Sequence, residues 1–334
     1  MIFPHIKRSH KISLLILLLI SLSAFSMTYG SVSLSFEQVM AGFFGPADEP
    51  YSIIVRELRL PRILLGLMAG ATLGLSGAAL QGLLRNPLAD PGIIGISASA
   101  GLGAVIAIYM GLGGLWALAT PVSAMTGALL ATAILFLLAA RDASILTLIL
   151  CGIGISSLAS ASIALVMNFA LHSSTLQDMV LWMLGSLENR TTDDVMLAAP
   201  FMILGWILML GVGQGLDAIS LGEDAARSLG INLSRLRWQV VIGTALSVGA
   251  TVSICGAIGF VGLVVPHMMR AFFGANPRAL LLPSALGGAI LLSFADIITR
   301  MPFAHVQLRL GVVTAFIGAP LFLYIIFRTR ENMR

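Results

Sequence analysis

Two polar side chains inside apolar sequence could form a serine-type active site, Ser76 and His267. The run Gly74-Leu75-Ser76-Gly77 presents the serine between small residues, and His267 could act as the base that activates its hydroxyl. Ser76 also belongs to a series of small residues. There, close helix packing with the hydroxyl bonded to its own helix is the more common role. We therefore favour packing over catalysis and assign no catalytic residue.

Other ionisable side chains could bind a coupling ion or a haem iron. Asp296 and His267 come closest to the interior of apolar runs, but both lie towards the ends of those runs. An ion-coupled transporter keeps such groups within its spans despite their cost in lipid, so this pattern argues against ion coupling. His172, His267, His305 or one of the 16 methionines could ligate haem, although isolated residues of these types near helix ends usually pack or face the interface. No metal site is predicted.

The chain lacks the residues of a nucleotide site. Its two lysines, Lys7 and Lys11, both lie at the extreme N-terminus, so no G-x-x-x-x-G-K-[ST] phosphate loop exists in this sequence. Cys151 and Cys255 lie inside apolar runs and predict neither a disulfide framework nor a cysteine metal site. We expect no cofactor in this chain, and any ATP must be bound by a separate subunit.

The composition defines the elements that hold these residues. With 58% hydrophobic residues, 10% charged residues and a mean hydropathy of +0.99, the 334 residues predict an all-α integral membrane protein. A span needs about 20 apolar residues. The predicted runs are 12–27, 61–83, 92–111, 115–139, 144–170, 195–214, 239–273, 279–298 and 308–327. The run 239–273 is too long for one crossing and contains glycines, so we divide it near Gly256, which gives about ten spans.

The spans form one transmembrane domain, residues 1–334. Its parts are a first span in 1–30, an outer (periplasmic) loop 31–60, spans 2 to 6 in 61–214, a cytoplasmic loop 215–238, and spans 7 to 10 with a cytoplasmic tail in 239–334. The N-terminus has the charged and apolar regions of a signal peptide, but an uncleaved first span is favoured. With both termini in the cytoplasm of a bacterium, 13 of the 19 Lys and Arg residues face inwards. This bias accounts for the net charge of +4 without a nucleic-acid surface, and the inner membrane is the expected location.

Small residues recur every fourth position in two of the spans. Span 2 carries Gly66, Gly70, Gly74, Ala78 and Gly82. Span 7 carries Gly243, Ser247, Thr251, Cys255 and Gly259. Such ladders allow neighbouring backbones to approach closely. Because the two spans are five crossings apart, they run in opposite directions, which indicates an inverted repeat of spans 2–5 and spans 7–10.

The stretch from Leu216 to Trp238 is the only long polar interval in the second half of the chain. Ser220 and Glu223 form a capping-box pattern, acids occupy the first turn, and Gly230 follows as a stop, so we predict a two-turn helix. Leu221, Ala225 and Leu229 would share one face. A helix this short is unstable alone, so it either docks against a partner or is part of a solvated loop; the pattern leaves both open.

Five motifs occur in order along the chain, and together they closely resemble one family. They are R-E-L-R-L-P-R (56–62), Q-G-L-L-R-N-P-L-A-D-P-G (81–92), L-G-E-D-A-A-R-S-L-G (221–230), G-A-I-G-F-V-G-L-V-V-P-H-M-M-R (256–270) and G-V-V-T-A-F-I-G-A-P (311–320). The sequence resembles the permeases of type II binding-protein-dependent ABC importers for iron-siderophores, haem and cobalamin. The resemblance implies a ten-span subunit paired with a second copy or a close paralogue. It also implies two separate ATP-binding subunits inside and a periplasmic or lipid-anchored binding protein outside.

The resemblance assigns roles to individual residues. Those matching positions that dock the binding protein are Arg59, Arg62 and Arg300, with Arg56 as a possible addition. Those expected to couple to the ATPase are Leu221, Gly222, Glu223, Ala226, Leu229 and Gly230. The cytoplasmic gate maps onto Ser144, Ile145 and Leu146. Charge-assisted pairing of arginine with carboxylates suits a docking surface that must form and release.

One motif departs from the family pattern. Before G-V-V-T the family usually has Glu-Leu-Pro, whereas this chain has Gln307-Leu308-Arg309, which leaves the substrate open. Iron-siderophore leads, followed by haem and cobalamin. The remaining alternatives are an ion-coupled secondary transporter and a rhomboid-like intramembrane protease.

Overall fold

The computed structural model describes residues 7–46, 48–139, 145–301 and 308–331, and these ranges contain helices and no strands. The long helices match the predicted spans. Spans 1 to 10 are Arg8–Thr28, Leu60–Leu83, Ile96–Tyr109, Ala119–Ala139, Ile145–Asn168, Thr192–Gly211, Leu233–Cys255, Val261–Phe273, Pro277–Thr299 and Leu310–Glu331. Seven are long and apolar enough to cross a bilayer, and the apolar parts of spans 3, 8 and 10 are shorter.

The predicted division of the run 239–273 is confirmed. Span 7 ends at Cys255, Gly256 has a φ of 72°, and span 8 begins only at Val261. With 13 residues, span 8 is about 20 Å long, less than the roughly 30 Å of a hydrocarbon core. Span 3, with 14 residues after Gly95 in a left-handed conformation, is similarly short. Both helices are therefore too short to cross the hydrocarbon core on their own.

The packing of the spans follows the predicted inverted repeat. Span 2 packs against spans 8 and 9, and span 7 packs against spans 3 and 4. Likewise span 3 packs on span 4, as span 8 does on span 9. If spans 2, 3 and 4 are taken to correspond to spans 7, 8 and 9, each contact in one half has its counterpart in the other half.

The small-residue ladder of span 2 allows the contact between spans 2 and 9. A Cβ atom added at Gly70 would lie 2.3 Å from the carbonyl oxygen of Gly288, and one at Gly74 would lie 2.0 Å from that of Ser284. No side chain fits at these distances, so the backbones touch directly. In span 7, Gly243 lies against Gly205 of span 6. Gly259 is an exception to the ladder, because it lies in the break between spans 7 and 8.

The predicted outer loop contains more helix than expected. Phe36–Phe44 is a helix with a capping box between Ser35 and Gln38, and Pro50–Ser52 continues through a π-helix, Ile53–Arg59, into span 2. A helix Ser173–Met183 lies between spans 5 and 6, and short 3-10 turns cover Pro91–Ile94 and Leu112–Gly114. The polar residues near Asp48 and Glu49 favoured the prediction of a loop in place of these helices.

The loop predicted to be cytoplasmic differs from its prediction at its start. It consists of the helices Gly213–Ser220 and Glu223–Ser228. The predicted capping box at Ser220 is wrong. Gly222 is the N-cap, with a φ of 112°, and Ser220 Oγ donates instead to the Asp217 carbonyl at 2.6 Å. The predicted stop is confirmed by Gly230, whose φ is +79°.

The loop is also shorter than predicted. Span 7 begins at Leu233, not at Gln239, because the Asn232 side chain accepts a hydrogen bond from the Arg235 backbone and caps the helix. Leu221, Ala225 and Leu229 were predicted to share one face of a single helix, and this prediction is wrong. Ala225 lies in Glu223–Ser228, whereas the two leucines flank that helix.

Candidate functional site

The helix Glu223–Ser228 is fixed to the rest of the chain. Ala226 is fully buried in the core, and its carbonyl accepts from the Ile231 backbone at 3.0 Å. The Glu223 carboxylate pairs with Arg237 Nη2 at 2.7 Å and with Arg227 at 3.7 Å. Ala226 and Glu223, both assigned to the ATPase contact, thus hold the helix in place from within.

Leu221 and Leu229 point away from this framework. They are 71% and 64% exposed, although the loop is polar and most apolar side chains outside lipid are buried. Gly222 and Gly230 have positive φ angles and open space around them, so they turn the chain next to each leucine. The result is a pair of exposed apolar side chains that flank a fixed short helix, and we name this segment the coupling surface (Leu221–Gly230).

At the opposite end of the spans, Asp296 lies between two of the predicted docking arginines. Arg62 Nε donates to Asp296 Oδ1 at 2.9 Å, and Arg62 Nη2 forms an ion pair with the same oxygen at 2.9 Å. Arg62 Nη2 donates to Thr299 Oγ1 at 3.1 Å. Arg300 pairs with Asp296 Oδ2. Burial lowers the pKa of the Arg300 guanidinium below its ordinary value, and Asp296 opposes that shift. Asp296 is thus paired with two cations and is not free to bind a coupling ion.

Arginines at this end of the spans also donate hydrogen bonds to backbone carbonyls of the same chain. Arg59 donates to the carbonyls of Met27 and Val32. Arg56 donates to Gly45 at 2.9 Å and also to Phe43, and Arg300 donates to Ser26 at 3.0 Å and Tyr29 at 3.3 Å. These contacts fix the segment after span 1 against the start of span 2. Docking of a binding protein by these arginines stays a prediction.

A cavity of about 580 Å³ opens among these residues. Among the described residues, its charged lining comprises Arg59, Arg62, Arg190, Arg300 and one carboxylate, Glu188. The lining is therefore strongly cationic. Sequence reasoning counted Arg190 as an outer residue but gave it no role, and it missed Glu188.

Arg309, part of the departure from the family pattern, has a partner in this region. Its Nη1 lies 3.4 Å from Glu188 Oε2. The positive charge of Arg309 is thus balanced by the Glu188 carboxylate, which lies in the segment before span 6. Gln307, in the same departure, and His305 lie outside the described residues.

The remaining sequence candidates do not assemble into a catalytic site. Ser76 is fully buried, and its Oγ donates to Met209 Sδ of span 6 at 3.6 Å. The expected bond to its own helix is wrong, because Met209 lies within reach across the close packing. His267 lines a different cavity, near Arg270, and His172 is exposed before the helix Ser173–Met183. Among the described residues, no group of three His, Cys, Asp or Glu side chains could hold a metal.

The predicted gate is only partly described. Ser144 lies outside the described residues, and for Ile145 only the backbone is described. Leu146, in the first turn of span 5, is 65% exposed. The gate stays a prediction.

Comparisons with known proteins agree with this architecture. The family model of the FecCD transport family matches residues 15–328. The chain is 36% identical over 322 residues to the hemin transport system permease HmuU of Yersinia pestis, covering 95% of each chain. It is 39% identical over 281 residues to the vitamin B12 import permease BtuC of Salmonella typhi, covering 83% of this chain and 84% of that one. It is 38% identical over 302 residues to YvrB, an ABC transporter permease of Bacillus subtilis, covering 89% of this chain and 85% of that one.

One solved structure extends the likeness to three dimensions. It is an inward-facing structure described as a metal-chelate type ABC transporter, with a TM-score of 0.85, 32% identity, and coverage of 96% of this chain and 99% of that one. The expected resemblance to the iron-siderophore, haem and cobalamin permeases is confirmed at the level of the family. The chain belongs to the FecCD transport family and is a permease of an ABC importer.

Proposed function

We propose that this chain forms the membrane pathway of an importer that carries an iron chelate, with iron-siderophore as the leading substrate, into the cytoplasm. ATP hydrolysis in two separate subunits drives the transport. The observation that carries the proposal is the coupling surface. Leu221 and Leu229 are exposed on either side of a helix that Ala226 and Glu223 fix to the spans, so a force applied there reaches span 7 directly.

The names of the relatives support the substrate class. HmuU is named for hemin, BtuC for vitamin B12, and the solved structure for a metal chelate. Each ligand is a metal held in a large organic chelator. The described part of this chain offers no cluster of metal ligands, so the metal would arrive already chelated. Iron-siderophore is the leading substrate, with haem and cobalamin as alternatives.

The proposal includes a second copy of the chain or a close paralogue. Span 5 has a broad apolar face that no described residue of its own chain covers, including Leu146, Leu150, Leu158 and Leu165. A symmetric partner and lipid would share this face.

The proposal also assigns the two ends of the bundle. The cationic cavity at Arg62 and Arg300 faces the periplasm and receives acidic groups of a binding protein. The coupling surface faces the cytoplasm. Both chain termini lie on that same side; Arg8, at the start of span 1, donates to the Ala279 carbonyl at the start of span 9, near the cytoplasmic loop. The location is the bacterial inner membrane.

Reconstitution tests the proposal. The permease, its ATP-binding subunit and its binding protein are placed together in proteoliposomes, and ATP hydrolysis is measured with ferric siderophores, haem and cobalamin. We expect a ferric siderophore to stimulate hydrolysis and to accumulate inside. Stimulation by haem or cobalamin alone would replace the substrate, and failure of the permease to bind the ATPase would refute the function.

A further inference from the structure

A second cavity, of about 320 Å³, opens beside the coupling surface, between the end of span 2 and span 8. Three basic side chains line it, Arg85, His267 and Arg270, and no carboxylate is among its described lining residues. Ser220 also lines it and directly precedes Leu221. The cavity therefore borders the segment that leads into the coupling surface.

Arg270 has an unused charged donor in this cavity. Its Nη2 donates to Gln81 Oε1 at 2.6 Å, whereas its Nη1 is buried and has no hydrogen-bond partner within the described part of the chain. A buried donor without a partner is costly, most of all on a charged group. A carboxylate entering the cavity would accept from Nη1 in a charge-assisted hydrogen bond.

Gln81 connects this site to the interior of the membrane. It is 2% exposed and lies near the end of span 2. Its Nε2 group donates at 3.2 Å to the carbonyl of Ala89, and at 3.3 Å to those of Gly262 and Leu263. Ala89 belongs to the segment that leads into the short span 3, and Gly262 and Leu263 form the first turn of the short span 8. The Gln81 amide thus connects Arg270 to the segment before the short span 3 and to the first turn of the short span 8.

We propose that the cavity of Arg85, His267 and Arg270 accepts an acidic side chain of the ATP-hydrolysing subunit, and that Gln81 relays this contact to the starts of spans 3 and 8. The inference rests on the proposed function, because it requires an ATPase docked at the coupling surface. Two observations favour that occupant. The lining is cationic, and Ser220 joins it to the exposed Leu221, so one rigid partner can reach both. An anionic lipid headgroup has the same charge but no need of the coupling surface.

Affinity measurements test the acidic contact. The ATPase subunit is titrated onto the full-length permease in nanodiscs of phosphatidylcholine alone and of phosphatidylcholine with phosphatidylglycerol. Arg270→Met should weaken binding at least about tenfold in both lipids, as expected for loss of one partner of a buried charge pair. Arg278→Met is the matched control, because Arg278 is exposed close by but does not line the cavity. Arg270→Lys, which keeps the charge, should recover most of the affinity and shows that the site still folds.

The outcomes separate this inference from the function itself. If wild-type permease does not bind the ATPase, the proposed function fails, and the inference fails with it. If wild type binds and Leu221→Asp abolishes binding, but Arg270→Met binds like wild type, the inference alone is wrong. A loss confined to the discs with phosphatidylglycerol would make the cavity a lipid site and would also overturn it.

The relay has its own measurement, the number of substrate molecules transported per ATP hydrolysed. Gln81→Met keeps the length of the side chain but removes its donors and the oxygen that accepts from Arg270. The ATPase subunit is therefore supplied in saturating excess, so that a change in affinity does not enter the ratio, and we expect a clear fall in transport per ATP. An unchanged ratio in a variant with wild-type elution volume would show that Gln81 only packs.

Discussion

Replacing Leu221 and Leu229 by aspartate tests whether the coupling surface is a contact surface. Complete burial of a leucine side chain is worth about 1.5–3 kcal/mol relative to exposure. With 71% and 64% of each residue exposed, a partner that covered both would gain about 2–4 kcal/mol. This corresponds to about 30-fold to 1,000-fold in affinity. Aspartate removes that gain and adds the cost of burying a charge.

The same substitutions should leave the permease itself intact. Both side chains point away from the core, so each change should alter the free energy of unfolding by less than about 0.5 kcal/mol. The assay measures ATPase binding in nanodiscs and substrate uptake in proteoliposomes. We expect the double variant to insert, to elute like wild type, to lose most ATPase affinity and to lose uptake.

A matched control separates position from chemistry. Leu171 is 90% exposed in the turn after span 5, away from the coupling surface, so Leu171→Asp makes the same change elsewhere. It should retain ATPase binding. Coupled uptake at wild-type rate by the Leu221→Asp, Leu229→Asp variant would refute the reasoning and make residues 221–230 a linker.

Three further substitutions address the packing and the outer end. Asp296→Asn should destabilise the permease by about 3 kcal/mol, because two arginines would lose their shared counterion; thermal unfolding in detergent measures this, and an unchanged midpoint would contradict the pairing. Gly74→Ala should destabilise by about 1–3 kcal/mol, since its Cβ would lie 2.0 Å from the Ser284 carbonyl, whereas Gly154→Ala, with nothing within 4 Å, should not. Equal effects at the two glycines would show that spans 2 and 9 separate easily. Ser76→Ala should change stability by less than about 1 kcal/mol and leave transport intact, because it removes only a bond to a thioether sulfur; complete loss of activity in a folded variant would revive the protease hypothesis.

The span pattern could be predicted because it depends on local chemistry. Apolar length defines the spans, and the glycines near Gly256 mark a break because the backbone there has a positive φ. The ladder of Gly70 and Gly74 predicts a close approach, although not that the partner is span 9. Lipid leaves helices few alternatives, so pattern and fold agree closely.

The side-chain partners could not be predicted in the same way. Arg62 and Asp296 are 234 positions apart, and nothing local tells whether an arginine at a helix end pairs within the chain or awaits a partner. The assignment of Arg59 to docking shows the difficulty, since its guanidinium binds the carbonyls of Met27 and Val32. The capping box at Ser220 failed because Gly222 turns the chain first, which a spacing rule does not include.

In the proposed importer, an ATP-hydrolysing subunit binds the coupling surface from the cytoplasm. A single cysteine at Leu229 tests it directly, in a background where Cys151 is replaced by serine and the buried Cys255 by alanine. Labelling with a membrane-impermeant maleimide is measured from each side of the membrane, with and without the ATPase subunit. The account predicts labelling from the cytoplasmic side only, and protection when the ATPase is bound. Labelling from the periplasmic side, or cytoplasmic labelling that the ATPase does not reduce, would contradict it.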